Sequence, residues 1–161
     1  MSAIAADAGA PAGHAQYLTF VLAGEEYGVD ILRVQEIKGW DVPTPIPNTP
    51  DHIRGVINLR GTIVPIVDLR RRFGLPVAEY GPMTVVIVLK VHGADRQRII
   101  GIVVDAVSDV CSVGGDELRP PPDFGGAVAV DFVRGLATVG GRMTILLDID
   151  QLLDAVTAPA A

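Results

Sequence analysis

Apolar residues recur along this chain in short runs, either alternating with polar ones or packed together, and turn residues separate the runs. Leu18, Phe20 and Leu22 share one face of a predicted strand over 17–23. Gly24-Glu25-Glu26 predicts a turn, 27–31 the returning strand, and 34–38 a further strand carrying Glu36. Pro43, Pro45, Pro47 and Pro50 forbid a regular ladder, so 42–50 is a loop or edge segment and 50–54 a single helical turn. Runs at 56–59 and 62–67 flank Arg60-Gly61 as a hairpin, where the glycine accepts a positive φ. Pro65 in the second of these strands calls for an edge or a bulge. Asp68 is placed to cap a short helix over 69–73, which Gly74 and Pro76 stop. The scheme then returns. Runs at 84–91 and 99–104 make an apolar hairpin, 107–113 a strand, 116–119 a helical turn and 142–147 a last strand. Asp148 opens a final helix to about Ala155. Many short strands and no long helices predict an all-β fold.

The recurrence extends to residue identity. Residues 54–69 lie over 134–149 without a gap, sharing Arg-Gly, an apolar stretch, Gly, a second apolar run, and Asp followed by an aliphatic residue. Upstream, Gly28-Val29 and Val34-Gln35-Glu36-Ile37 lie over Gly101-Ile102 and Val107-Ser108-Asp109-Val110. Two matches in the same order indicate two copies of one β-rich unit, too few for a solenoid. A pseudo-symmetric pair of subdomains is expected, with 54–68 superposing on 134–148 and the seam between them as a natural binding site. Positions alike in both copies serve the scaffold, and positions that differ are free for function. Gly55 and Gly61 recur as Gly135 and Gly141, whereas Arg60 faces Gly140 and Glu36 faces Asp109.

Composition narrows the class. The 161 residues are 49% hydrophobic, 20% charged and 5% aromatic, so aliphatic side chains must fill a core. The 18 Gly and 12 Pro suit a turn-rich β fold. A net charge of −6 argues against nucleic-acid binding and against attraction to an anionic membrane surface. Apolar runs are too short to span a bilayer, no cationic-then-apolar leader is read at the start, and Cys111 has no partner for a disulfide. A cytoplasmic location is expected. Residues 1–16 read as a disordered tail, 17–155 as the folded body and 156–161 as a second tail, with no receiver domain after residue 155.

Candidate chemistry is sparse. His14, His52 and His92 lack acidic or cysteine neighbours at ligand spacing, so no metal or other cofactor is expected. Cys111 in an apolar strand reads as a buried, inert thiol. Phosphate-loop and nucleophile-elbow patterns do not occur. Asp68, Asp105 and Asp148 each follow an apolar run, and Asp68 with Asp105 is the pair a hydrolase would use as an acid–base dyad, if their carboxyl groups lay within hydrogen-bond reach. Capping is the competing reading for Asp68 and Asp148.

Together, the 26–31 run Glu-Tyr-Gly-Val-Asp-Ile, Val34-Gln35-Glu36-Ile37, Asn48-Thr49-Pro50, the block from Gly55 to Gly61 with its Asn-Leu-Arg-Gly, the Val64-Pro65-Ile66-Val67-Asp68-Leu69 block and their second-half counterparts at 101–105 and 107–110 closely resemble the CheW-like family of bacterial chemotaxis coupling proteins. The resemblance covers about 17–155. It implies two interleaved five-stranded SH3-like β-barrels around a shared hydrophobic centre. It also implies a non-enzymatic adaptor joining chemoreceptor cytoplasmic tips to the histidine kinase CheA, whose regulatory domain has the same fold, in receptor arrays under the inner membrane. By the same resemblance, Val34, Glu36, Gly55, Arg60 and Gly61 serve receptor or kinase coupling. Val85, Val86, Val107 and Val110 border the groove between barrels, and Arg119 and Phe124 make ring contacts. A related adaptor serving another chemosensory pathway, in motility or second-messenger control, is the alternative. The chain departs from the pattern in a longer hairpin tip at 92–98 and a short C-terminal end.

Overall fold

The computed structural model of the chain describes residues 14–93, 96–120 and 132–157. Five strands precede the first α-helix: β1 His14–Leu22, β2 Glu25–Asp30, β3 Val34–Gly39, β4 Ile53–Leu59, β5 Thr62–Asp68, then α1 Leu69–Arg72. Five more precede the second: β6 Val85–His92, β7 Gln97–Val104, β8 Ala106–Gly114, β9 Val133–Val139, β10 Arg142–Leu147, then α2 Ile149–Thr157. They form two five-stranded sheets, in the orders β8-β1-β2-β10-β9 and β3-β6-β7-β5-β4.

The two orders are one order written twice. Replacing each strand by its counterpart in the other repeat turns the first sheet into the second. Registers agree as well. Leu146 pairs in parallel with Gly28 as Ile66 does with Gly101, which are the sequence-matched positions. The ladder slips at Gln35 between β3 and β6, and at the matching Ser108 between β8 and β1. Asp68 N–H donates to His52 O, and Asp148 N–H to Phe132 O. The strand order and register thus repeat with the sequence, and the halves are exchanged: each sheet takes two strands from one repeat and three from the other.

Closure into barrels is not seen. Each hydrogen-bonded ladder stops at two edge strands, β8 and β9 in one sheet, β3 and β4 in the other. Isolated bridges, Thr44 to Val56 and Arg119 to Leu136, add one pair each beyond β4 and β9. The fold is two open five-stranded sheets.

The main core lies between the sheets and includes Phe20, Leu22, Val67, Ile87, Leu89, Ile102 and Leu152. A smaller cluster (Leu59, Val64, Ile66, Val86, Val88, Val103) belongs to the second sheet, and one of Tyr17, Val113, Ala137 and Leu146 to the first. Neighbours on β6 serve both: Ile87 and Leu89 face the central core, Val86 and Val88 the second sheet's own cluster. A strand buried on both faces needs an unbroken apolar run, and 85–89 supplies it. Each such side chain contributes about 1.5–3 kcal/mol by leaving water, so the large central cluster dominates cohesion.

Several sequence expectations change. β1 starts at His14, inside the segment read as tail, because 14–19 finds β8 to pair with. Glu25 and Glu26 belong to β2, and only Ala23 and Gly24 make the turn. The helical turns expected at 50–54 and 116–119 are not helical. One Ile53 N–H to Pro50 O bond leads into β4, and Arg119 leaves a turn to bridge Leu136. Pro65 sits on an interior strand. Opposite it, Val56 exchanges both backbone bonds with Thr44, and the parallel β5–β7 ladder begins only at Ile66. The missing N–H thus falls where the ladder has not yet started. Helix α2 runs to Thr157 rather than Ala155.

Candidate partner-binding surface

Arg60 and Gly61 form the β4–β5 turn with φ of +50° and +90°. Asn58 Oδ1 accepts the Gly61 N–H at 2.8 Å and fixes the turn. Gly140 and Gly141 hold the same turn in the other repeat, with φ of +58° and +79°. An arginine in this left-handed conformation is therefore a departure that the fold does not ask for. Its side chain is 71% exposed and hydrogen-bonds Glu36 Oε1 on β3. β3 is one edge of the second sheet and the β4–β5 hairpin the other, so the pair ties two unladdered edges together at the surface. Asp109 and Gly140, the matching residues, make no such tie.

Gly55 has φ of +135°, and a Cβ there would strike the Thr44 carbonyl. Gly135 is blocked in the same way by Leu118 and by the Arg119 carbonyl, at 2.9 Å. Both glycines let the bridging segment lie on its strand, which gives Gly55 a scaffold role.

Val34, Val85, Val107 and Val110 are half-buried along the fringe of the central core. Val86 differs: it is 2% exposed inside the second sheet's own cluster, so it does not border a groove. Arg119 is exposed beside a shallow hollow of about 400 Å³ that also includes Asp116, Leu136 and Met143. Phe124 lies outside the described residues.

Each acid of the candidate dyad is engaged by other groups. Asp68 Oδ1 accepts the Arg70 N–H at 3.1 Å as an N-cap, and its Oδ2 takes the Tyr80 hydroxyl at 2.7 Å. Asp105 instead receives the Arg70 guanidinium at 2.8 and 2.6 Å and the Ala23 N–H at 2.9 Å. Arg70 holds the Asp105 carboxyl below its usual range, so it is a fixed anion and no proton carrier. The two acids cap and clamp, and neither hydrogen-bonds the other. Cys111 is half-buried, and burial pushes its thiol up, with Asp109 and Glu26 adding to the effect. Among the described residues no cluster of His, Cys, Asp or Glu is arranged for a metal, and no helix is long and apolar enough to cross a membrane.

Sequence reasoning missed three features. Ile63 and Met143 occupy matching positions at the two hairpins and are 60% and 56% exposed, although both sit in apolar strands. An apolar cleft opens among Tyr27, Phe73, Leu75, Phe132, Ile145 and Leu147. Arg72 lies over the Phe132 ring at 4.6 Å. The repeat alignment held the signal for the last, because Arg72 falls on Leu152.

A duplicated β scaffold whose Asp68 and Asp105 are taken up by a cap and a clamp, and which displays Arg60 at its surface, fits an adaptor. The comparisons agree. Residues 16–157 match the CheW-like domain model. The chemotaxis protein CheW of Klebsiella aerogenes is 51% identical over 140 residues, covering 87% of this chain and 82% of that one. The CheW of Rhizobium meliloti is 37% identical, covering 92% and 94%. Among solved structures, the scaffolding protein TtCheW from Thermoanaerobacter tengcongensis superposes with a TM-score of 0.76 at 33% identity, over 86% of this chain and 87% of that one. This chain belongs to the CheW-like domain family, and its role is that of a chemotaxis adaptor.

Proposed function

We propose that the chain links the cytoplasmic tip of a chemoreceptor to the regulatory domain of the histidine kinase CheA. Receptor state alters contacts on the adaptor, and the altered contacts bias the kinase between active and inactive arrangements. Val34, Glu36, Arg60 and Gly61 carry the coupling surface, and Gly55 shapes it from beneath. Val85, Val107 and Val110 contribute an apolar border, while Arg119 and Phe124 serve contacts with a neighbour in a ring. The two edges of each sheet approach as in an SH3-like barrel, and the chain works in the cytoplasm at receptor arrays. The observation that supports this best is the Arg60–Glu36 tie, present in one lobe and absent from its twin. A charge pair exposed on one side contributes about 0–1 kcal/mol to stability, so its value lies in what it presents to a partner.

Affinity capture with the tagged chain, from a cytoplasmic extract containing membranes, tests the reading. Recovery of both a receptor and a histidine kinase is expected, with the kinase signal reduced by Arg119→Ala. Recovery of neither, from a chain that melts cooperatively, overturns it.

A further inference from the structure

The cleft between α1 and the first sheet is open where its twin is closed. Its lining side chains Tyr27, Phe73, Leu75, Phe132, Ile145 and Leu147 surround a cavity of about 90 Å³. Tyr27 stacks on Phe20 at 5.9 Å and meets Phe73 in a tilted pair at 5.7 Å, which gives the cleft an aromatic floor. In the other repeat the counterparts of Tyr27 and Phe73 are Ile100 and Leu153, both fully buried. Helix α2 runs through nine residues there and covers the site with Leu152 and Leu153. Helix α1 stops after four residues, where Gly74 takes φ of +72°, so its side lacks that cover.

The residue resting on Phe132, one of the lining side chains, changes in the same comparison. Arg72 stands in the place of Leu152, which is fully buried. The duplicated fold therefore accepts an apolar residue at this position, and here it holds a cation. Arg72 is half-buried, burial lowers the pKa of its guanidinium, and its Nε has no hydrogen-bond partner. Among the described residues it makes no ion pair, and it rests on the Phe132 ring. Among the described residues this partly buried cation has no counter-charge, and it gains from an acid that arrives to pair with it.

We infer that this cleft is a docking site for an acidic amphipathic helix of a protein partner, with an aliphatic side chain entering between Phe73 and Phe132 and a carboxylate pairing with Arg72. The helical form follows from the twin, which is closed by a helix packing leucines onto the same scaffold. The acidic character follows from charge complementarity with Arg72. The site shares no lining residue with the Arg60–Glu36 pair and does not rest on the receptor and kinase reading.

The test uses the full chain and two synthetic peptides of about 18 residues, long enough to populate a helix. One repeats leucine at helical spacing with glutamate on its flanks; the other has lysine for every glutamate. In amide NMR titrations the glutamate peptide is expected to shift Tyr27, Phe73, Leu75, Phe132 and Ile145, and to bind roughly tenfold more tightly than the lysine peptide. Arg72→Glu should reverse that preference while its spectrum remains that of a folded chain. Arg72→Leu should raise Tm, as the twin position implies, and abolish the discrimination. The inference is overturned if neither peptide shifts the cleft residues, if the two bind alike, or if Arg72→Leu lowers Tm and keeps the preference.

Discussion

At the scale of single residues, the repeat separates what the fold needs from what it only carries. Gly55 and Gly135 face the same backbone obstruction, so their recurrence is structural. Arg60 and Gly140 share a left-handed turn but not a side chain. A non-glycine residue in that conformation costs on the order of 1 kcal/mol, and the exposed pair with Glu36 recovers at most a similar amount. Arg60→Gly is therefore expected to melt at the wild-type temperature or slightly above, and Arg60→Ala to change stability by about 0.5 kcal/mol or less. Both should weaken receptor-dependent control of kinase activity. Thermal melting beside a reconstituted coupling assay decides the matter: a large fall in Tm makes Arg60 structural, and unchanged coupling leaves it an ordinary surface charge. Arg60 was legible in the sequence because its counterpart is glycine. Its contact with Glu36 was not, since 24 positions separate them and only sheet curvature brings them together.

At the scale of elements, the helices are fastened by two clamps of opposite polarity. Arg70 and Asp150 each follow an aspartate at the helix entrance by two positions, and each reaches across to the other lobe's connection. Arg70 grips Asp105, which also accepts the Ala23 N–H. Asp150 receives both Arg33 guanidinium nitrogens at 2.8 Å and the His92 N–H at 2.8 Å. Arg70 depresses the Asp105 pKa. At Asp150 burial pushes upward, but Arg33 and the His92 N–H outweigh it, and the net direction is also down. On unfolding, both carboxyls return to the ordinary value near about 4. Their contribution is thus complete above that value and is lost as pH falls through the lower folded pKa. Melting curves from pH 7 to about pH 3 should show Tm dropping over that acid range. Asp105→Asn should cost about 1–3 kcal/mol at neutral pH and flatten the acid limb. An unchanged acid limb would remove the clamp from the account. The caps Asp68 and Asp148 could be read from sequence, because capping is local. The clamps could not, because their partners lie on strands brought close only by the exchange of halves.

At the scale of the whole molecule, exchange of strands is the organising fact. The hairpin β1–β2 is flanked by β8 and β10, and the hairpin β6–β7 by β3 and β5. Neither repeat contains the neighbours of its own first hairpin. Cutting the chain after Pro82, in the exposed connection between repeats, is expected to give two fragments that do not fold as monomers. Mixed in equal amounts they should restore a cooperative transition and the native amide spectrum. A single fragment folding as a monomer would show that each repeat is self-sufficient and would sink the argument.

What the sequence determined by itself is set by local and periodic physics. Alternation and turn residues located the strands, Asp68 and Asp148 opened the helices, and the repeat announced pseudo-symmetry. Tertiary structure decided which strands became neighbours, and a repeated sequence cannot distinguish a strand from its own copy in the other half. That choice put Val86 inside a sheet's own cluster and left Val85 at the central fringe. It drew β1 back to His14 by giving it β8 to pair with, and it left the sheets open where closed barrels were expected. It also converted Asp68 and Asp105 from a conceivable dyad into a cap and a clamp. The hydrogen bonds that separate them belong to Arg70 and Tyr80, and those partners are fixed by packing across the molecule.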